Sequence, residues 1–443
     1  MRPPAPAWIL AVAALVGAGC GQRDRAAGPG RGDAGTAAGD DGPADAAAGD
    51  ARGPADAAVA TASPPCPEPP PPPPGPGERL TLHPVDFADL PGWSDDSHAE
   101  ALPALLASCT LLAELADDAP VGVDGAGGKA RAWRALCAAA RAAPAGDDAA
   151  ARALFERHTR AFAAHGPAGA DGKFTGYYVQ PLRGSRRRHG RYQHPLYGRP
   201  DDLVMVDLGQ FIPDARGRKI WGQLDRGRGV LGRYPTRAEI RAGGKAPEIL
   251  WVDDPIDAVF AQIQGSGKVA LDDGSEAWIE FAGKNGRAYR GVGGVLKELG
   301  ELAPGQGTMQ GIRAWLAAHP DRFDEIVDRN QSFVFFAVSA RPGAIGSQQV
   351  VLTPRRSMAV DRAHIAASTP IWVDTRAPTP GRAGTAPWRR LLVAQDTGEG
   401  IKGAVRGDIY WGDDADAVDT AGRMGGPGRY WLLLPPGAAP PAP

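Results

Sequence analysis

Between residues 97 and 165, apolar side chains recur at the spacing of one helical face. Leu102, Leu105, Leu106, Cys109 and Leu112 form one stripe. Trp133, Leu136, Cys137 and Ala140 form a second, and Leu154, Phe155, His158 and Phe162 a third. Stripes of this period predict three amphipathic helices on a common core, with His158 a packed core histidine rather than a ligand. Ser97 and Glu100 have the spacing of a capping box. Pro103 would then fall inside the first helix, so the helix is expected to start later.

Further on the period shortens. Leu203–Leu208, Ile249–Val252, Val259–Gln264, Lys268–Leu271 and Ala277–Phe281 read as short strands, and Asp272-Asp273-Gly274-Ser275 is a hairpin turn. Several short strands at close spacing predict a small barrel. Asn285-Gly286 is a turn, and a helix begins within Tyr289–Leu299 and ends near Gly300. A helix from Thr308 carries Ile312, Trp315 and Leu316, and another carries Phe323, Ile326 and Val327. Asn330–Phe336 reads as a buried strand, and strands dominate from there to Tyr430–Leu434.

Composition adds the flanks. Residues 1–19 have a basic start and an apolar run from Trp8 to Ala18, too short to span a membrane. Val16-Gly17-Ala18-Gly19-Cys20 has the form of a lipobox with cleavage before Cys20 and lipidation of its thiol; plain secretion is the alternative. Residues 20–80 are rich in Gly, Ala, Asp and Pro and end in a proline run, too poor in large apolar side chains to fold alone. The remainder exceeds what one compact core usually organises, so two domains are expected. A formal net charge of -2 argues against a nucleic-acid partner, and Arg186–Arg188 reads as a solvated loop. Cys109 and Cys137 lie on predicted helices and could pair in an oxidising compartment, leaving Cys66 in the linker. No CxxC pair, HExxH motif or histidine cluster points to a metal, and no cofactor is expected.

The chemistry concentrates in Leu391–Gly412. A strand at Arg390–Ala394 runs to Asp396, a glycine-dense loop holds Lys402, and Asp408 heads a second run, Ile409–Trp411. Gly398–Gly403 also spells G-x-G-x-x-G. A dinucleotide site needs a helix opening inside the motif, and no helical period follows. Phe174-Thr175-Gly176-Tyr177-Tyr178 is a compact β segment whose tyrosines suit either a core or the apolar face of a sugar. Gly265-Ser266-Gly267 lacks the spacing of a nucleophile elbow.

These phrases together resemble the membrane-bound lytic murein transglycosylase A family. The resemblance rests on D-T-G-x-x-I-K-G-x-x-x-x-D-x-Y-x-G at Asp396–Gly412, F-T-G-Y-Y, Q-G-S-G at Gln264–Gly267, G-K-N-G-x-A-Y at Gly283–Tyr289, and Asn330–Phe336. Leu90-Pro91-Gly92-Trp93 with Ser108-Cys109 resembles the family's opening, so the likeness covers about 87–434. Gly400 stands where the family usually has Ala, and Gln180 where it has Pro. The implied fold is mainly β with helices: a double-psi-β-barrel-like first domain, interrupted by a second small β-barrel, with a substrate groove between them. On that reading 81–182 and 284–437 build the first domain and 183–283 the insert.

The family acts on peptidoglycan glycan strands, cutting the β-1,4 bond between N-acetylmuramic acid and N-acetylglucosamine without water. The muramic acid 6-hydroxyl attacks its own anomeric carbon, leaving a 1,6-anhydro ring. Leaving oxygen and attacking hydroxyl share one face, so a single carboxyl can serve as acid and then base. By resemblance Asp408 is that residue, with Asp396 and Asp361 supporting it. Thr175, Gly176, Tyr177, Gln264, Gly265, Ser266, Lys284, Asn285 and Lys402 are expected to line the groove. The protein is expected to be a monomer, held to the envelope membrane by Cys20 and facing the periplasm, in the outer membrane. Two alternatives stand: a non-catalytic peptidoglycan-binding lipoprotein, and an inverting muramidase-type hydrolase using Asp396 and Asp408. The latter needs carboxyls roughly 6.5–9.5 Å apart.

Overall fold

The structure is a computed structural model that describes residues 79–438 apart from 123–125, 213–214, 216–217, 244–245 and 304. The expected leader, Cys20, the linker and Cys66 lie outside the described residues.

The chain opens with β1 (Thr81–Val85), followed by helices α1 (Leu102–Glu114), α2 (Ala130–Ala142) and α3 (Asp148–His158), then β2 (Arg160–His165) and β3 (Gly172–Tyr177). Helix α1 has Pro103 in its first turn and no cap from Ser97, in line with the later start. Cys109 on α1 and Cys137 on α2 form a disulfide. The third stripe overreaches: α3 ends at His158, and Phe162 is on β2. His158 is half-buried at that helix end, so the core position expected for it is not observed.

Next come β4 (Gln180–Ser185), β5 (His194–Tyr197), β6 (Leu203–Asp207), β7 (Lys219–Asp225), β8 (Val230–Gly232), α4 (Arg237–Arg241), β9 (Glu248–Val252), α5 (Pro255–Gln264), β10 (Ser266–Leu271) and β11 (Glu276–Lys284). The strand expected at Val259–Gln264 is part of a helix. Asp254 caps it through a bond to the Ile256 N–H, Pro255 occupies its first turn, and Ile256, Val259, Phe260 and Ala261 are its buried side chains. These start signals outweigh the β-branched composition. The chain continues through α6 (Val292–Glu298), α7 (Met309–Ala318), α8 (Phe323–Asp328) and β12 (Val334–Ser339). Of the expected buried strand Asn330–Phe336, only the part from Val334 is in the ladder. Last are β13 (Ser357–Val360), β14 (Pro370–Pro378), β15 (Thr385–Asp396), β16 (Arg406–Tyr410), α9 (Ala415–Arg423) and β17 (Gly425–Leu434). Helix α9 interrupts the run of strands expected there.

The first sheet has the order β1-β2-β17-β14-β15-β13-β16-β3, and β3 also pairs with β17. That extra pairing closes β17, β14, β15, β13, β16 and β3 into a six-stranded barrel, with parallel ladders at β13–β15 and β16–β3 and antiparallel ones elsewhere. Its core includes Trp372, Phe174, Leu391, Ile409 and Tyr430, each almost wholly buried. Burial of side chains this size stabilises by about 1.5–3 kcal/mol each. Arg356 is also buried, its guanidinium forked onto Asp96 at 2.7 and 2.9 Å, which ties the segment before α1 to this barrel.

The second sheet, β12-β11-β10-β4-β9-β5, has its ends joined by a bridge between Gly198 and Phe336. It draws strands from Gln180 to Ser339, wider than 183–283. A third sheet, β6-β7-β8, belongs to the same part of the chain. Gln264 joins the two barrels, its Oε1 accepting the Tyr178 N–H at 3.1 Å.

Candidate active site

The site grows from three strands. Residue pairs in one register share a sheet face, and Ala359 on β13 is in register with Asp408 on β16 and with Asp396 on β15. The β13–β15 ladder skips Gln395, whose buried amide donates to Ala104 O at 2.7 Å on α1. This irregularity brings Asp396 onto the face of Asp408. On the other side, β3 sets Thr175 opposite Asp408 and Tyr177 opposite Tyr410.

The side chains follow that register. Thr175 Oγ1 donates to Asp408 Oδ1 at 2.5 Å, and Arg406 Nη2 donates to Thr175 Oγ1 at 2.7 Å. Arg406 is buried and also donates to the carbonyls of Lys173 (3.2 Å) and Gly407. Burial pushes the Asp408 carboxyl above its ordinary range, against the opposing pull of the Thr175 hydrogen bond, Arg406 and Lys173. Burial likewise lowers Arg406, with Asp408 opposing.

Asp396 is held differently. Its Oδ1 accepts the N–H groups of Ser347 and Thr397, each at 2.8 Å, and its Oδ2 accepts the Tyr177 hydroxyl at 2.9 Å. Three donors favour the ionised form. The Tyr177 hydroxyl is pushed well above the usual phenol range, first by burial and then by Asp396, so it stays a donor. Asp361, just past β13, accepts from Ala363 N at 3.1 Å and Gly403 N at 2.8 Å. It pins the glycine loop to the barrel.

Other expected groove residues divide. Lys284 reaches Glu399 of the glycine loop in an ion pair, and Lys402 is exposed with Nζ 3.9 Å from Asp361. Gln264 meets Tyr178 as described, Gly265 caps α5 with φ 79°, and Ser266 is buried at the start of β10. Two more are placed by their packing. Asn285 is 1% exposed, its amide donating to Pro235 O and Gln331 O and its oxygen accepting from Phe333 N, so it braces the insert. Gly176 faces away from the site: a Cβ there would lie 2.6 Å from Trp411 Nε1 and 2.9 Å from Ala421 of α9. It is a packing glycine. No cluster of three or more His, Cys, Asp or Glu fit to hold a metal occurs among the described residues.

The chain matches two family models, the MltA specific insert domain over residues 173–337 and the 3D domain over 356–434. It is 33% identical over 272 residues to membrane-bound lytic murein transglycosylase A of Escherichia coli K12, covering 60% of this chain and 67% of that protein. The chain belongs to the membrane-bound lytic murein transglycosylase A family.

Solved structures of the family agree. The membrane-bound lytic murein transglycosylase of Agrobacterium tumefaciens superposes with a TM-score of 0.70 at 30% identity, covering 80% of this chain and 98% of that one. Escherichia coli MltA with bound chitohexaose gives 0.55 at 26% identity, covering 81% and 94%. The 3D model covers the barrel strands that carry Asp396 and Asp408, and the insert model begins in β3 of that barrel and runs through most of the second sheet. Sequence reading missed two residues at this site. Arg406 was legible in principle, two residues before Asp408 and so on the same strand face. Ser347 acts through its backbone N–H, which no side-chain pattern reveals.

Proposed function

We propose that the protein is a peptidoglycan lytic transglycosylase in which Asp408 alone is acid and then base. The observation that carries the reading is the contrast between the two site carboxyls. Asp408 is recessed, biased toward its neutral form, and holds one donor on one oxygen. Asp396 takes three donors, an arrangement that suits a carboxylate acceptor.

The steps balance without water. The Asp408 proton passes to the glycosidic oxygen as the bond from that oxygen to the muramic acid C1 breaks. The muramic acid 6-hydroxyl oxygen then bonds C1, and its proton returns to Asp408. An intramolecular nucleophile carries much of the entropic advantage. Ionised Asp396 stands near enough to resist ionisation of the Tyr177 hydroxyl and to favour positive charge building at C1. Thr175 has a lone pair left to accept from a sugar hydroxyl, and Lys284 and Lys402 flank the loop. Anchoring through Cys20, on the periplasmic side of the outer membrane, places the enzyme beside its polymer.

A hydrolase would need Asp396 free to activate water, and its three donors oppose that. Mass analysis of products from purified murein tests the reading. Ends lacking one water are expected. Reducing ends would overturn it in favour of hydrolysis, and absence of products in favour of binding alone.

A further inference from the structure

The site contains a hydroxyl with a fixed direction. Arginine carries donors only, so at 2.7 Å from Arg406 Nη2 the Thr175 oxygen must be an acceptor. The single hydroxyl hydrogen of Thr175 then needs a partner, and Asp408 Oδ1 at 2.5 Å is the acceptor it meets among the described residues. A proton placed on Oδ1 would turn that hydrogen away and leave it unmet, which is costly in a recessed site. Asp408 Oδ2 meets no donor among the described residues. The carbonyls of Lys173 and Gly407 both accept from Nη1 of Arg406, which holds the guanidinium in this orientation.

We infer that Arg406 is a positioning residue that acts through Thr175 to keep Asp408 Oδ1 an acceptor and to confine the catalytic proton to Oδ2. This rests on the single-acid reading of Asp408 and adds a consequence to it. The same oxygen gives its proton to the leaving group and receives the proton of the 6-hydroxyl, so the carboxyl does not rotate between the two half-reactions. The Thr175 hydrogen bond also holds back the upward push of burial on Asp408, which keeps the group able to ionise once its proton has left.

The charged and titratable groups around Asp408 are few. Strand β3 contributes Lys173 and Tyr177, β16 contributes Arg406 and Tyr410, and β13 contributes only Met358, Ala359 and Val360 at this register. From β15 comes Asp396, which accepts the Tyr177 hydroxyl.

The test is the pH dependence of kcat/KM on soluble glycan strands, using the full chain with Thr175→Val, Thr175→Ser, Arg406→Met and Arg406→Lys, beside Asp408→Asn. Activity needs neutral Asp408 in the free enzyme, so it falls as pH rises through that group's pKa. Removing a donor or a cation that favours the ionised form moves this alkaline limb to higher pH. Thr175→Val is expected to lose on the order of tenfold or more in kcat, and to show the displaced limb. Thr175→Ser restores both. Arg406→Met displaces the limb in the same direction, and Arg406→Lys, which keeps the charge without the planar fork, falls between it and the native enzyme.

A limb that stays in place in both Thr175→Val and Arg406→Met overturns the relay, even if activity drops, because a purely structural defect lowers activity without moving the limb. Should Thr175→Val fail to fold, Arg406→Met against Arg406→Lys decides alone. An active Asp408→Asn would instead sink the single-acid reading on which the relay rests. An inactive Asp408→Asn with unmoved limbs sinks the relay only.

Discussion

Asp396 and Asp408 stand in register with one residue, Ala359, from the two neighbours of β13. Two strand spacings separate their backbones, roughly 9–10 Å. Such a separation suits a pair of carboxyls flanking a sugar in more than one mechanism, so spacing leaves the chemistry open. Hydrogen bonding separates the roles. The donors on Asp396 come from β3 and two backbone amides, whereas Asp408 meets the Arg406–Thr175 pair.

Tyr177 anchors one of the two carboxyls. Its hydroxyl holds Asp396 Oδ2 at 2.9 Å, and its ring packs against Tyr410 with centroids 5.4 Å apart. Tyr177→Phe keeps the ring and removes the donor. Turnover is expected to fall on the order of tenfold, with the melting temperature near native, in murein digestion and calorimetry run side by side. Tyr177→Ala, which also loses the ring, is expected to fall further. Native turnover in Tyr177→Phe would show that Asp396 needs no side-chain anchor.

The Cys109–Cys137 disulfide closes a sequence separation of 28 between α1 and α2. Chain-entropy reasoning gives a loop of that length a contribution of about 3–4 kcal/mol. The Cys109→Ser, Cys137→Ser double variant is expected to lose stability of that order in denaturant unfolding while retaining activity, because neither residue takes part in the hydrogen bonds of Asp408 or Asp396. A variant as stable as the native chain would show that the packed helices suffice.

Much of the site could be read before the fold was known, and the reasons are local. Asp408 and Asp396 sit in apolar runs bounding a glycine loop, and alternation along a strand gives their faces. Helix α7 was legible from Thr308 and its stripe. Helix α5 was not, because Val, Ile and Phe in Pro255–Gln264 favour strand composition while Asp254 and Pro255 set a helix start. Helix α9 has a narrow buried face of Ala417, Thr420 and Ala421, too small to register as a stripe. The close packing at Gly176 has the same character. Its role is decided by Trp411 and Ala421, which are distant in sequence.

The tether makes a separate prediction, for a part of the chain outside the described residues. Cys20 follows a short apolar run and precedes a segment rich in Gly, Ala, Asp and Pro. Among the described residues no helix is long and apolar enough to cross a membrane. Cys20→Ser is expected to move the protein from the membrane fraction to the soluble fraction, with purified activity unchanged. Persistence in the membrane fraction would rule out the thiol as the anchor.

The acid gives the sharpest contrast between the two carboxyls. Asn at position 408 keeps the shape and can still meet Thr175, but it supplies no proton to the glycosidic oxygen. General acid and base assistance is worth about two to four powers of ten, and here one group provides both. Asp408→Asn is therefore expected to lose activity by about that factor while still sedimenting with insoluble murein. Asp396→Asn keeps the acid and removes a negative charge beside the reacting centre. Its loss should be smaller, and adding Tyr177→Phe should deepen it by less than the two single losses combined, because both changes act on one hydrogen-bonded unit. The native enzyme should lose activity as pH rises through the Asp408 pKa, which burial places above the ordinary carboxylate range. An Asp396→Asn variant with the deeper loss, or an Asp408→Asn variant that turns over murein at the native rate, would reverse the assignment of the two residues.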